Sequence, residues 1–532
     1  MRRTFHTLTG VVSVLALAVT ALPAFAQKSG GILKSTHRDN PPSASPHEEA
    51  TSGTQTPFMA VFNNLVMFKQ DERINSMENI VPDLAKSWAW NADKTALTFV
   101  LNEGVKWHDG KPFTSADVKC TWDLLTEKRP EKLRKNPRQA WYSNLDNVTT
   151  NGDYEVTFNL KRTQPAFIAL LAAGYSPVYS CHVPPAKMRT HPIGTGPFKF
   201  VAMKMNESIK LTKNKEYFKP GLPYLDGIEY TIIKSPATRN LAFVAGNFDM
   251  TYGYDLTPQL MEDVKSQDPN AVCELVTAAG AGNLIVNRDS PPFDNAEIRR
   301  AMALTIDRAS FNTIIGRGTN RDGGAMLPPP EGVWGLPPEM LKTLPGYDPD
   351  VAKNRAEARK IMEAQGYGPE KRLPIRVATR NVGVYKDPGV LLIDQLREIY
   401  MDATLETIET ANWFGMVARK DYQVGMNLTA SGVDDPDAMF FENYACGSER
   451  NYTGYCNPEL EKLFVQQSMM SDQEARKKLV WEIDMKLQLD GARPIIYHFQ
   501  WATCWHPYVH GLKMMTNSMY NGWRLEEVWM DK

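Results

Sequence analysis

The sequence predicts an α/β protein built from more than one domain. Segments with helical and with strand-like hydrophobic patterns alternate through both halves of the chain, which is typical of the α/β class. The chain has 532 residues, and a single hydrophobic core rarely grows beyond about 250–300 residues. Hydrophobic residues make up 42% and charged residues 23%, which excludes a disordered chain, a collagen-like fibre and a polytopic membrane protein.

Strands are predicted where apolar and polar residues alternate beside turn signals such as Asn151-Gly152 and Asp226-Gly227. These segments are residues 30–35, 96–101, 154–160, 196–202, 230–233, 375–379, 404–408 and 424–429. Helices are predicted where apolar residues recur at helical spacing, and Thr114 or Ser115 caps one of them. The helical segments are residues 58–68, 116–125, 298–306, 352–365 and 389–400.

Residues 1–26 have the three parts of a cleavable signal peptide in the right order. Arg2 and Arg3 supply the positive charge, residues 11–22 form an apolar run, and Ala24-Phe25-Ala26 forms a small-x-small cleavage site. The apolar run is too short to cross a bilayer of about 30 Å as a helix. We therefore predict cleavage after Ala26 and a mature, periplasmic chain, in preference to the alternative of a buried N-terminal helix.

The six cysteines all follow the predicted cleavage site, so they meet an oxidising compartment in which disulfides form. Cys446 and Cys456 flank a polar loop that contains two glycines, and we predict a disulfide between them. The other four cysteines, Cys120, Cys181, Cys273 and Cys504, allow three pairings or none.

Charge and motif content disfavour several functional classes. The 60 basic residues are balanced by 61 acidic residues, whereas a nucleic-acid binder usually has a basic excess. His506 and His510 are four residues apart, but Pro507 lies between them and no Glu completes a zinc motif. Neither a nucleophile elbow nor a phosphate-binding loop occurs. We therefore expect a protein that is not an enzyme and uses no cofactor and no metal.

Four segments, in the same order, resemble the solute-binding proteins of peptide/nickel-type ABC importers, the bacterial extracellular solute-binding protein family 5. They are residues 93–118, with Trp107-His108-Asp109 at the centre, and residues 192–198, 287–308 and 454–460. The resemblance extends over nearly the whole mature chain. It implies a receptor that captures a small organic solute and delivers it to an inner-membrane permease and ATPase, and we expect a monomer.

The resemblance also implies a bilobal periplasmic-binding-protein fold: two α/β lobes, a hinge, and an extra domain inserted in the first lobe. The expected first lobe comprises residues 27–58, 191–286 and 506–532. The inserted domain would be residues 59–190 and the second lobe residues 287–505. Trp107, His108 and Asp109 would then lie in the inserted domain, away from the cleft, and would be structural.

One departure from the family pattern bears on the solute. Peptide binders of the family hold the ligand's amino terminus with an Asp three positions before an Asp-Pro or Glu-Pro step. The step here is Asp435-Pro436, and the position three before it is Gly432. The carboxylate is therefore missing unless Asp434 replaces it, and we expect ordinary dipeptides to bind poorly. Peptide-like, opine and oligosaccharide-type solutes all stay open.

The candidate ligand-binding residues are Arg38, Trp334, Arg380, Trp413, Asp434 and Asp435. Arg38 and Arg380 each follow or end a predicted strand, and a guanidinium suits a carboxylate or phosphate. Asp434 and Asp435 follow the strand at residues 424–429, where α/β proteins place ligand groups, although they also fit a polar turn.

The two tryptophans are candidates because aromatic side chains commonly line ligand pockets. Trp334 could equally pack on the Pro-rich loop before it, and Trp413 could belong to the core. The competing functions are a secreted hydrolase and a periplasmic chaperone or holdase.

Overall fold

A computed structural model describes residues 27–532 of the chain, so the predicted signal peptide lies outside the described residues. Within this part, no helix combines the length and the apolar character that crossing a membrane requires. The strands in chain order are β1 (Ile32–His37), β2 (Val66–Phe68), β3 (Ile80–Pro82), β4 (Ala85–Trp90), β5 (Ala96–Leu101), β6 (Leu145–Thr150), β7 (Glu155–Leu160), β8 (Phe198–Lys204), β9 (Ser208–Lys213), β10 (Gly227–Ile232), β11 (Val272–Val276), β12 (Gly280–Val286), β13 (Leu373–Arg380), β14 (Met401–Ile408), β15 (Val424–Ala430), β16 (Ile495–His498), β17 (Trp501–Trp505), β18 (Val509–His510) and β19 (Trp529–Met530).

The helices pack around these strands in an α/β arrangement, as the alternating pattern predicts. They are α1 (Ser52–Phe58), α2 (Ser115–Leu125), α3 (Phe167–Ala172), α4 (Pro185–Met188), α5 (Pro236–Val244), α6 (Pro258–Gln267), α7 (Ala296–Leu304), α8 (Arg308–Ile314), α9 (Pro338–Leu341), α10 (Val351–Ala364), α11 (Gly383–Arg397), α12 (Thr410–Ala418), α13 (Pro436–Asn443), α14 (Pro458–Ser468) and α15 (Gln473–Leu489). Short 3-10 helices lie at Met59–Val61, Met77–Asn79 and Gln139–Tyr142.

Three larger sheets correspond to the two lobes and the inserted domain. Lobe one contains the sheet β1-β10-β9-β8, in which β1 runs parallel to β10. The inserted domain contains the antiparallel sheet β4-β5-β7-β6, and lobe two contains β14-β13-β15-β12-β16. Since β13 is parallel to both β14 and β15, their carboxyl ends meet at one edge of the lobe-two sheet.

The hinge consists of two strands that pass from one lobe to the other. β11 of lobe one pairs with β17, and the chain continues from β11 through residues 277–279 into β12 of lobe two. It returns from β16 through residues 499–500 into β17. A disulfide between Cys273 and Cys504 joins β11 to β17 at directly opposed positions. This bridge holds the two hinge strands together on the lobe-one side.

The predicted borders between the lobes are wrong by one strand at each crossing. β12 was expected in lobe one, but it pairs with β15 and β16 in the centre of the lobe-two sheet. β17 was expected in lobe two, but it pairs with β11. Each crossing strand has strong apolar character, so hydrophobic pattern alone does not reveal which sheet it joins. The tail contacts lobe one, where Tyr224 donates its backbone N–H to the carbonyl of Glu526 at 3.3 Å.

Two predicted helices differ from the structure. The segment 58–68 is not a helix: α1 ends at Phe58, and a 3-10 turn and β2 follow. All of these residues are buried, so helical spacing of apolar residues carries no information there. The helix predicted at residues 389–400 begins six residues earlier, at Gly383, because α11 accommodates Pro388 in its interior.

Disulfides join all six cysteines. The predicted bridge between Cys446 and Cys456 is present, and Cys120 pairs with Cys181 inside the inserted domain. The remaining bridge joins Cys273 to Cys504. The four cysteines whose pairing the sequence left open therefore form two disulfides.

Candidate functional site

A narrow cavity lies between the two lobes, where the hinge strands meet them. Its volume is about 20 Å³, room for little more than one water molecule. The lobes are therefore closed on each other. Lobe one and its tail contribute Ala50, Thr51, Ser52, Met519 and Tyr520, the hinge contributes Phe499 and Trp501, and lobe two contributes Arg380, Tyr385, Phe414, Asn427, Leu428, Ala430, Arg450 and Tyr452.

A buried ion pair connects the lobes at this cavity. Arg380, the last residue of β13, donates from Nη2 to Oδ2 of Asp39 in lobe one at 3.0 Å. It also donates to the hydroxyls of Tyr385 and Thr410, at 2.7 Å and 3.0 Å. Burial opposes ionisation of Asp39, but the guanidinium groups of Arg380 and Arg38 outweigh it and hold its pKa below the usual value. Arg380, one of the predicted ligand-binding residues, thus lines the interlobe cavity.

Arg38 lies on the lobe-one side of the same cleft. It donates to Oγ of Ser52 at 2.8 Å and lies 3.4 Å from Oδ1 of Asp255. Asp255 also pairs with Arg239, so two guanidinium groups share one carboxylate. The guanidinium of Arg38 lies 6.0 Å from the ring centroid of Tyr385, which Arg380 also contacts. Arg38 and Arg380 therefore converge on one aromatic ring.

Positive charge exceeds negative charge among the buried groups around the cleft. Arg450 pairs with Glu442, but Arg493 donates to Asn443 Oδ1 at 3.0 Å and to the carbonyl of Arg450 at 2.8 Å, with no carboxylate partner in residues 27–532. The buried arginines of this region are Arg38, Arg239, Arg380, Arg450 and Arg493, and the carboxylates that they contact are Asp39, Asp255 and Glu442. A buried excess of this sign favours an anionic group on a bound molecule.

Trp334, Asp434 and Asp435 lie together at a second cavity, between the inserted domain and lobe two. The indole Nε1 of Trp334 donates to the carbonyl oxygen of Asp434 at 3.0 Å, and the guanidinium of Arg476 stacks on its ring at 4.7 Å. Five of the six predicted residues therefore form two groups: Arg38 and Arg380 at the cleft, and Trp334, Asp434 and Asp435 at the second cavity.

Asp435 has a structural role. Both of its carboxylate oxygens accept hydrogen bonds from Arg476, at 2.7 Å and 2.8 Å. It also caps α13, because Oδ1 accepts from the backbone N–H of Asp437 at 2.9 Å. A carboxylate with two guanidinium bonds and a cap bond has little capacity left for a solute.

Trp413 lies in the core of lobe two. Its side chain is 0% exposed and packs with Ile285, Ala378, Val417 and Tyr422. It does not border the interlobe cavity, whereas its neighbour Phe414 does. Of the two alternatives that the sequence leaves open, the structure agrees with the core position.

Gly432 is enclosed by the inserted domain. A Cβ atom at this position would lie 2.9 Å from Cη2 of Trp141 and 3.5 Å from Cδ2 of Tyr175. Trp141 is fixed there, since its Nε1 donates to the carbonyl of Ala438 at 3.2 Å. The indole of Trp141 therefore occupies the space in which a carboxylate at position 432 would lie.

Sequence reasoning missed several groups at the cleft, above all Asp39, Tyr385, Thr410 and Arg450. Asp39 directly follows Arg38 at the end of β1, so the strand-end argument that selected Arg38 could have found it. Arg450 lies in the disulfide loop, far from any strand end, and no sequence signal distinguishes it.

A model of one protein family matches residues 79–451: "Bacterial extracellular solute-binding proteins, family 5 Middle". The chain belongs to this family. The probable di/tripeptide-binding protein 5 of Pseudomonas aeruginosa is 24% identical over 435 residues, which cover 75% of this chain and 78% of that protein. The oligopeptide-binding protein AppA of Bacillus subtilis is 26% identical over 453 residues, 81% of this chain and 79% of AppA.

Solved structures show the same bilobal fold. The structure of B. subtilis AppA with a nonapeptide matches with a TM-score of 0.83 at 21% identity, covering 95% of this chain and all of that one. The structure of AgaA from A. tumefaciens with agropinic acid matches with a TM-score of 0.81 at 20% identity, covering 94% and 99%. The predicted family, the predicted fold and the predicted role as a solute receptor are confirmed. The comparisons give no support to a hydrolase or a holdase.

Proposed function

We propose that this solute-binding protein works in the periplasm as the monomeric receptor of an ABC importer. It captures an organic solute with a carboxylate or phosphate group between its lobes and delivers it to the permease and ATPase. The main support for an anionic solute is the excess of buried arginines at the cleft, with Arg380 at the centre of this group. Aromatic side chains from both lobes and the hinge would enclose the rest of the solute.

The solute class is peptide-like or opine-like. Relatives carry the names di/tripeptide-binding and oligopeptide-binding protein, and one solved neighbour holds agropinic acid. The anion would bind in place of Asp39 at Arg380, or at Arg450, which also borders the cavity. Oligosaccharides without a charged group use none of these guanidinium groups, so they fit the cleft less well.

The solute must enter through hinge opening, because the closed cavity holds only about 20 Å³. The connectors at residues 277–279 and 499–500 are the short segments that can absorb this motion. The disulfide between Cys273 and Cys504 keeps β11 and β17 in register while the lobes separate.

A thermal-shift screen tests this function. Purified mature protein is heated with matched sets of peptides, opines, dicarboxylates and neutral oligosaccharides. One anionic class should raise the melting temperature, since ligand at 100 times its Kd stabilises by about 2.7 kcal/mol. Small-angle scattering with the best solute should then show a more compact particle than the solute-free protein. Stabilisation by neutral oligosaccharides alone would contradict the anionic solute, and an unchanged particle size would contradict hinge closure.

A further inference from the structure

Among residues 27–532, two ion pairs join lobe one to lobe two, and they differ in burial. Arg380 of lobe two pairs with Asp39 of lobe one at 3.0 Å, and their side chains are 2% and 7% exposed. Lys234 of lobe one pairs with Glu409 of lobe two at 3.1 Å, and these side chains are 51% and 49% exposed. Both pairs must break when the hinge opens, because their partners lie on different lobes. Water screens the exposed pair, so the buried pair is the one that can bias the position of the lobes.

The buried pair uses only part of its hydrogen-bonding capacity. Nη2 of Arg380 and the hydroxyl of Thr410 both donate to Oδ2 of Asp39. The other carboxylate oxygen, Oδ1, is buried and accepts from no donor among the described residues. The contact therefore lacks the two parallel bonds that a guanidinium and a carboxylate can form. Since an unsatisfied buried acceptor costs free energy, an anion that uses both of its oxygens could replace Asp39.

Asp39 also competes for a group that faces the solute site. Arg380 borders the interlobe cavity, whereas Asp39 reaches it from lobe one and is not part of the cavity lining. The remaining bonds of the guanidinium go to the hydroxyls of Tyr385 and Thr410, which belong to lobe two and stay with Arg380 when the lobes separate. Opening of the hinge therefore removes the Asp39 carboxylate from Arg380 and leaves its other contacts in place.

We propose that Asp39 is an internal competitor of the solute anion: its carboxylate holds Arg380 across the cleft in the solute-free protein, which favours closed lobes and withholds the guanidinium from the solute. The solute-free protein is then a mixture of open and closed molecules, and this pair sets their ratio. In an open molecule the solute anion takes the free guanidinium, and the lobes close around it. The inference rests on the proposed function for the identity of the displacing anion, but the effect on the lobes needs no solute.

A second cation remains beside Asp39 after the displacement. Burial opposes ionisation of Asp39, and the guanidinium groups of Arg380 and Arg38 outweigh it, so the pKa of the carboxyl stays below its usual value. Arg38 directly precedes Asp39 in lobe one and moves with it. When the solute anion occupies Arg380, Arg38 therefore still offsets the charge of Asp39 in the closed cleft.

Small-angle scattering of the solute-free mature protein tests the effect on the lobes. Asp39→Asn leaves Arg380 without its carboxylate when the lobes are closed, whereas water solvates the guanidinium when they are open, so the closed form loses stability. The radius of gyration of Asp39→Asn should therefore exceed that of the wild type. Glu409→Gln makes the same acid-to-amide change at the exposed pair and should leave the radius unchanged. An unchanged radius in Asp39→Asn, or an equal increase in both variants, would overturn the proposal.

Thr410→Val provides a milder variant that keeps both charges of the pair. It removes the hydroxyl that donates to Asp39, so the radius of gyration should increase, but by less than in Asp39→Asn. If Asp39→Asn does not fold, this variant decides the question, and an unchanged radius in Thr410→Val would then overturn the proposal.

Calorimetry with acetate and inorganic phosphate tests the competition for Arg380. Asp39→Asn should bind one of these anions about tenfold more tightly than the wild type, because the share of molecules with a free guanidinium rises by that factor. Arg380→Gln should also enlarge the solute-free radius, but it should weaken the binding of the same anion. Measurable binding that Asp39→Asn leaves equal or weakens would overturn the competition. If neither anion binds to any of these proteins, the proposed anion site is contradicted, whereas the radius of Asp39→Asn still decides whether Asp39 holds the lobes.

Discussion

The two cavities of this protein have opposite electrostatic character. Around the interlobe cavity, each buried carboxylate is in contact with at least one arginine, and guanidinium groups are in excess. At the second cavity, Asp434 has no cation partner among the described residues. The difference lies in the partners: carboxylates near the interlobe cavity are neutralised by guanidinium groups, whereas the carboxylate of Asp434 is not.

The largest effect concerns Asp435, which follows Asp434 in the chain. Asp435 has a structural role, whereas Asp434 has no cation partner among the described residues. Asp435→Ala removes two bonds to Arg476 and the cap of α13, and it leaves the buried guanidinium with Asp437 as its one remaining carboxylate partner among the described residues. We expect a loss of about 3–5 kcal/mol in the free energy of unfolding, measured by urea denaturation. Asp472→Ala, which removes only the cap of α15, should cost about 1 kcal/mol. Equal losses in the two variants would mean that the Arg476 pair contributes nothing.

The second effect concerns the anion side of the contrast. Arg380→Gln removes the charge-assisted donors at the cleft, so the affinity for the anionic solute should fall about 100-fold, or about 2.7 kcal/mol. Arg376→Gln, on the exposed face of the same strand, should bind the solute as the wild type does. Titration calorimetry of both variants with the best solute of the screen provides the measurement. A similar loss in both would indicate a general field effect instead of a contact at Arg380.

Most of the fold, but only part of the candidate site, could be predicted from the sequence. The strands β5, β7 and β13 and the helices α2 and α10 lie within two residues of their predicted positions, because one face of each is buried and the pattern is regular. The hinge borders were missed because β12 and β17 are buried throughout, so that pattern cannot assign them to a sheet.

At the site, the strand-end rule located Arg38 and Arg380 at the cleft. The roles of Asp435 and Trp413 depend on partners that are distant in sequence: Arg476 is 41 residues from Asp435, and Trp413 packs on Ile285. The contact between Trp141 of the inserted domain and Gly432 of lobe two likewise cannot be predicted from the residues next to either one in the sequence. Local composition therefore identifies groups that can bind, whereas long-range packing decides which of them are free to bind.

The third effect concerns Asp434 and the pH dependence of its contribution to the free energy of unfolding. Asp434 has an ordinary pKa of 3.8 and a folded-state pKa of about 7, so the folded chain holds this proton over a range in which the unfolded chain has lost it. Its contribution to stability is therefore lost as the pH rises from about 4 to 7. Asp434→Asn should match the wild type near pH 4 and exceed it by a few kcal/mol at pH 8.

Thermal unfolding of both proteins at the two pH values provides the measurement. Asp437 and Asp484, whose pKa values burial also raises, to about 6, titrate in both proteins and cancel in the difference. A stability difference that does not change with pH would show that Asp434 is paired in solution, and the contrast between the cavities would not hold.

The smallest effect concerns Gly432, which lies between the two cavities in the chain. A methyl group there would meet Cη2 of Trp141 at 2.9 Å, and the indole is held by its bond to Ala438, so Gly432→Ala should cost about 1–2 kcal/mol in unfolding free energy. Gly432→Asp should likewise gain no affinity for dipeptides, because Trp141 fills the space that the new carboxylate needs. Gly368→Ala, at an open position whose φ is likewise outside the left-handed region, controls for the loss of glycine without a clash. Calorimetry with a di- and tripeptide series should give only millimolar binding to the wild type and to Gly432→Asp, since neither protein presents a free carboxylate at position 432 for the amino terminus. Tight dipeptide binding gained by Gly432→Asp would show that Trp141 moves aside in solution and that a glycine at position 432 is what excludes dipeptides.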